Sequence, residues 1–174
     1  LSADIGAGGL YLSETDALSV GDTAAITVNR VKTDGTVTGS SRSDASQSGL
    51  SSGENLVLIS GGALTINSAT STTGNLLLDV TGDLNANAAI GSGGGHISLL
   101  ASGALNQAAT GDISTTGSGT IDVKTASIVM ANGATTMTGS GNIRYAASGA
   151  IELGMLSTSG NISLSGTAIT DANG

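Results

Sequence analysis

Cysteine, proline, tryptophan and phenylalanine are all missing from this chain, and its only aromatics are Tyr11 and Tyr145. Without cysteine, and with His96 as the one histidine, a nitrogen or sulfur metal centre has no ligand set and no disulfide can staple a small core. The shortage of aromatics excludes an ordinary globular interior, which is filled by large side chains. Bases are few: five Lys and Arg against 13 Asp and Glu leave a net charge of −8. That balance argues against nucleic acid, which needs a basic footprint. No apolar run approaches the ~20 residues of a membrane span. No secretory leader is visible, and a start at Leu1 rather than Met reads as an excised or processed piece.

What fills the chain is small. Gly, Ser, Thr, Ala and Asn make up 109 of its 174 residues, so its core must be narrow and stackable. Disorder is the bland reading of such a composition, but Leu, Ile and Val still supply 39 residues in short alternating runs. Those runs recur. Gly53-Glu54-Asn55-Leu56-Val57-Leu58, Gly74-Asn75-Leu76-Leu77-Leu78 and Gly95-His96-Ile97-Ser98-Leu99 are followed by Gly119-Thr120-Ile121-Asp122-Val123, Gly141-Asn142-Ile143-Arg144-Tyr145 and Gly160-Asn161-Ile162-Ser163-Leu164. The first apolar positions are spaced by 20, 21, 24, 22 and 19 residues. Leu64, Leu84, Leu105, Ile128, Ile151 and Ile169 follow them at a nearly constant offset, so length variation gathers in one later loop, as in a solenoid. A looser third position takes Ile90, Ile113, Met137 and Leu156.

Alternation over three to five residues marks short strands with one buried face. The pattern therefore predicts an all-β parallel β-helix (β-solenoid), with three short strands per coil and coils of 19–24 residues. Glycine before each strand is expected to turn the chain through positive φ. Leu10-Tyr11-Leu12 and Ile26-Thr27-Val28 read as two earlier first strands, giving about eight coils. The polar, turn-rich stretch at about 31–52 reads as an insertion in a single unit covering 1–174.

Runs such as GNLLLDVTGDLNANAAI, GGHISLLASGALNQAATGDIST and GNISLSGTAIT resemble the repeats of filamentous haemagglutinin-like, large bacterial exoproteins. The resemblance covers residues 53–174. It implies a right-handed β-helix, export to the bacterial cell surface and use in adhesion or surface filaments. Copies or adjoining repeats of the chain itself, and host or surface glycans, are the partners it implies. No cofactor or metal is expected.

His96 shares the register of Asn55, Asn75, Thr120, Asn142 and Asn161, which predicts an axial hydrogen-bonded ladder rather than a metal ligand. Glu14, Asp16 and Asp22 are read as solvated turn residues rather than a calcium site. Asp79 and Asp83 lack the aromatic and basic company of a polysaccharide lyase or hydrolase, the alternative carbohydrate-active reading, so no enzyme is expected. Thr73, Thr116, Thr138 and Ser159 invite an ice-binding reading, but corner hydrogen bonds explain them more simply. Arg30, Lys32 and Arg42 gather in the insertion and read as a candidate interface with an acidic partner. Val57 and Leu77 are predicted to form an apolar outer patch on the stripe Tyr11, Thr27, Val57, Leu77, Ser98, Asp122, Arg144 and Ser163. The two ends look like interior coils, and Ile162 to a following Leu10 spans 22 residues, so end-to-end continuation into another copy is expected.

Overall fold

The computed structural model describes residues 1–173, and among them every regular element is a strand. Three seven-stranded parallel sheets form the sides of a prism. Sheet A contains Ala3–Ile5, Leu50–Ser52, Thr70–Thr72, Ile90–Ser92, Ile113–Thr115, Thr135–Met137 and Met155–Ser157. Sheet B contains Leu10–Glu14, Leu56–Ser60, Leu76–Val80, Ile97–Ala101, Ile121–Thr125, Ile143–Ala147 and Ile162–Ser165. Sheet C contains Leu18–Val20, Leu64–Ile66, Leu84–Ala86, Ala104–Gln107, Ser127–Met130, Ile151–Leu153 and Ile169–Asp171. One strand of each makes a rung, and each rung pairs with the next through backbone hydrogen bonds along the axis.

There are seven rungs rather than eight. Ile26–Asn29 is not a first strand; it pairs antiparallel with Ser41–Asp44, above a root in which Asp22–Thr23 pairs with Gln47–Ser48. An eighth rung would need a second and third strand before Leu50, and the polar stretch from Lys32 to Ser48 offers none. The excursion therefore runs from Asp22 to Ser48, earlier than the pattern implied, and Leu50–Ser52 belongs to the solenoid. Thr27 accordingly leaves the outer stripe and faces Ser43 across the hairpin.

The core is a set of aligned columns. Leu56, Leu76, Ile97, Ile121 and Ile143 stack in register on sheet B and are all nearly inaccessible. In the last rung the same columns open, with Ile162 and Ile169 44% and 49% exposed against 1% and 0% for Ile143 and Ile151 beneath them. The first rung is better covered: Leu10 and Val20 are buried, and Leu1 both donates to the Ser19 carbonyl and accepts from the Gly21 N–H. On sheet A the third column is Leu50, Thr70, Ile90, Ile113, Thr136 and Leu156. Met137 faces outward instead of inward, because Thr136 takes the interior place beside the buried hydroxyl of Tyr145.

Positive φ is found at some corners one or two residues before the strand-entry glycine, at Gly8, Gly94 and Gly117, but the repeated glycines themselves have a different cause from the one expected. None of Gly53, Gly74, Gly95, Gly119, Gly141 or Gly160 has positive φ. A Cβ on Gly141 would instead lie 1.7 Å from the carbonyl oxygen of Gly119, and one on Gly95 2.2 Å from that of Gly74. Bare Cα atoms let successive corners stack at the sheet repeat of ~4.8 Å. Beside them a column of inward hydroxyls ties rung to rung: Ser52 donates to the Gly8 carbonyl (2.8 Å), Ser92 to Gly74 (2.7 Å) and Thr115 to Gly95 (2.7 Å).

Candidate functional site

The residues singled out along the Asn register sit at the corner between sheets A and B. Oδ1 of Asn55 accepts the N–H of Asn75 (2.9 Å), and Oδ1 of Asn75 accepts the N–H of His96 (2.9 Å). His96 Nδ1 accepts the N–H of Thr120 (3.2 Å) and lies 2.9 Å from its hydroxyl. Oδ1 of Asn142 accepts the N–H of Asn161 (2.9 Å). The bonds thus run from side chain to the next rung's backbone, rather than from amide to amide. Amide-to-amide ladders do exist, on sheet C and the turn that follows it, at positions the sequence reading passed over. Asn106 Nδ2 donates to Asn85 Oδ1 and Asn87 Nδ2 to Asn67 Oδ1, both at 2.9 Å. The visible signal was the Asn85-Ala86-Asn87 alternation, with Asn67 and Asn106 about one rung away.

On the outer face of sheet B, Tyr11, Val57, Leu77, Ser98, Asp122, Arg144 and Ser163 stand side by side, one per rung. Asp122 and Arg144 form an exposed ion pair at 2.7 Å, worth at most ~1 kcal/mol after solvent screening. At the other end of the face, Val57 and Leu77 are half-buried and Tyr11 is 66% exposed. With Asn55, Asn75, His96 and Ser98 they line a shallow open depression of about 410 Å³. Tyr11 does not stand free: a Cβ on Gly9 would lie 2.6 Å from its Cε2, so the ring lies across the bare glycine.

Arg30, Lys32 and Arg42 are exposed on the hairpin, where Asp22, Asp34 and Asp44 balance them, so the excursion carries no net charge. Exposed Ile26, Val28, Val31 and Val37 share it. Asp22 holds the hairpin root: Ser48 and Ser68 donate to its Oδ1 at 2.6 and 2.7 Å, and those bonds, Ser48 first, lower its pKa. Asp34 is likewise lowered by the backbone N–H and then the hydroxyl of Thr36, inside the hairpin turn.

The remaining acids are committed or dispersed. Glu14 Oε1 accepts the N–H groups of Thr15 and Asp16, Asp83 Oδ1 that of Ala104, and Asp112 Oδ1 that of Thr135. Asp79 and Lys124 share a groove along the end of sheet B with Leu100, Ser102 and Ser148. Among the described residues no three His, Cys, Asp or Glu converge as metal ligands would. The threonines read as a possible outer array are hydrogen-bonded inside the protein: Thr73 to the Gly53 carbonyl, Thr116 to Gly93 and Thr138 to Gly141.

Inside the prism lies one polar cluster. Thr136 Oγ1 is 2.6 Å from the Tyr145 hydroxyl and 3.4 Å from Gln107 Oε1, while Gln107 Nε2 donates to the Thr135 carbonyl at 2.8 Å. Enclosure pushes the Tyr145 phenol well above its usual range, a rise only partly offset by Thr136. Among the described residues no helix is long and apolar enough to cross a membrane. No protein-family profile, curated protein or solved structure matches this chain.

Proposed function

We propose that this chain is a structural and adhesive extracellular β-solenoid, a repeat unit of a bacterial surface filament or giant adhesin of the filamentous haemagglutinin-like kind. It works without catalysis, and its rungs continue end to end into a copy of itself or an adjoining repeat. The observation that carries this reading is the edge of the last rung. Its three strands each have a partner on one side only, and its inward Ile162 and Ile169 are half open where the same columns are closed one rung below. An unpaired edge with a half-exposed apolar column is a template for another rung. Covering those two side chains is worth ~1 kcal/mol each, beyond the new backbone bonds.

Sedimentation and negative-stain imaging of the purified chain test the reading. Rods that lengthen with concentration, with an axial repeat of roughly 34 Å for seven rungs at ~4.8 Å, are expected. Ile162→Lys with Ile169→Lys should leave folded single units. A parent chain that stays a monodisperse monomer at high concentration sinks the stacking of separate copies.

A further inference from the structure

We infer that the depression at the first four rungs of sheet B binds a neutral polysaccharide, with Tyr11 as its stacking platform and Asn55, Asn75 and His96 as its row of donors. The inference rests on the adhesive reading above and gives that reading a ligand class.

The ladder decides what the corner shows to solvent. The acceptor atoms of Asn55 and Asn75 are consumed by the backbone of the next rung, and neither Nδ2 has a partner among the described residues. Because His96 Nδ1 accepts the Thr120 N–H, its proton sits on Nε2. Three N–H donors therefore stand in a line at the ~4.8 Å rung repeat, about the length of one pyranose ring. Each is held by an axial bond, so little side-chain freedom is lost on binding.

Beside that row the floor is apolar. Val57 and Leu77 offer a half-buried surface to the C–H face of a sugar, and Tyr11 offers its ring. Gly9 is what fixes the ring, since any Cβ there would displace it. Charge narrows the ligand further. Glu14, Glu54 and Asp79 lie on or beside these four rungs, and the first base on sheet B is Lys124. An anionic glycan is repelled by that rim, as is the same acidic face of a second copy. A peptide strand would need alternating donors and acceptors, and this row has donors alone.

With no tryptophan in the chain and Tyr145 enclosed, a ligand-induced change in tyrosine emission reports on Tyr11. The test titrates the folded chain with hexaoses of β-linked glucose, galactose, mannose and N-acetylglucosamine, and with hexagalacturonate as the anionic control. A saturable change with at least one neutral sugar and none with the uronate is expected. By calorimetry, Tyr11→Ala and Asn75→Ala should each weaken binding tenfold or more. Gly9→Ala should weaken it several-fold while keeping the ring, and Ser163→Ala at the far end of the face should leave it unchanged. All four sites are exposed or half-exposed, and circular dichroism checks that the variants fold. The inference is overturned if no neutral hexaose binds, if binding survives Tyr11→Ala, if the uronate binds more tightly, or if Tyr11→Ala splits a parent dimer. Rods that form while every sugar fails overturn the site alone; sugar binding by a chain that never forms rods overturns the stacking alone.

Discussion

Thr70 and Thr136 occupy the same interior column of sheet A, and the same substitution should move stability in opposite directions at the two places. Thr70 is fully enclosed between Leu50 and Ile90, and its Oγ1 has no hydrogen-bond partner. A buried hydroxyl left unpaired costs ~1–3 kcal/mol, and valine replaces it with a methyl of nearly the same shape. Thr70→Val should therefore stabilise the chain by about 1–2 kcal/mol. Thr136 is just as enclosed, but its hydroxyl lies 2.6 Å from that of Tyr145. Thr136→Val strands the Tyr145 hydroxyl in an apolar interior and should cost ~1–3 kcal/mol, most of it recovered by adding Tyr145→Phe. Urea unfolding with an unchanged slope reads both effects as midpoint shifts, and at this chain length each kcal/mol moves Tm by about 2–4 °C. Equal signs for the two valines would refute the reasoning. A loss at Thr70→Val would mean that the hydroxyl is satisfied by an enclosed water.

The ladder and the corners give further tests. His96→Ala removes the acceptor of the Thr120 N–H and should cost ~0.5–1.5 kcal/mol in unfolding free energy, whereas His96→Asn restores an Asn-type acceptor and should stay near the parent. Gly141→Ala places a Cβ 1.7 Å from the Gly119 carbonyl oxygen and forces two rungs apart. It should lower the melting temperature far more than Gly35→Ala, whose surroundings are open although its φ is positive. At Asp22 the folded pKa is lowered, so its bonds to Ser48 and Ser68 stabilise the hairpin root above the unfolded carboxylate range. That support begins to fade below about pH 4 and is gone only below the depressed folded value. Hydrogen-exchange protection at Gln47 and Ser48, corrected for the intrinsic slowing of exchange in acid, should fall there, and opening already complete at pH 6 would contradict the assignment.

The columns of Leu and Ile were legible because a period of two inside a period of 19–24 residues leaves each apolar pair one place to go. Ile26-Thr27-Val28 carries the same local alternation and goes elsewhere. Alternation alone cannot separate a rung from a two-stranded ribbon, and only the missing second strand and the Asp34-Gly35 turn tell them apart. The preference for Met137 over Thr136 failed for a non-local reason, since the hydroxyl is needed by Tyr145, nine residues later and on another side of the prism. The corner glycines were visible as a frequency, but their cause is the carbonyl of the preceding rung, which no local dihedral rule contains. At the outer face the stripe could be read by counting. The Tyr11 ring lying over Gly9 could not, because a strand position fixes where a side chain leaves the backbone and says nothing of where its far end lies.

Inward and outward positions of this chain answer to different constraints, and that separation is what lets such a composition carry a function. The first inward columns of sheets B and C hold Leu or Ile at every rung, because each side chain must fit above the one below it at the rung repeat. On the outer face of sheet B the same register passes from Tyr11, Val57 and Leu77 through Ser98 to Asp122 and Arg144 with no change in strand pairing. Since a rung touches only its neighbours, each outward choice is energetically local. The excursion from Asp22 to Ser48 makes the same point: it leaves after Val20 and returns at Leu50, yet the flanking strands keep their pairing with Leu64–Ile66 and Ala3–Ile5. Register is held by the columns rather than by the connections. Binding chemistry can therefore collect on the first rungs, and stacking chemistry on the open edge of the last, while the Leu and Ile columns between them keep the register.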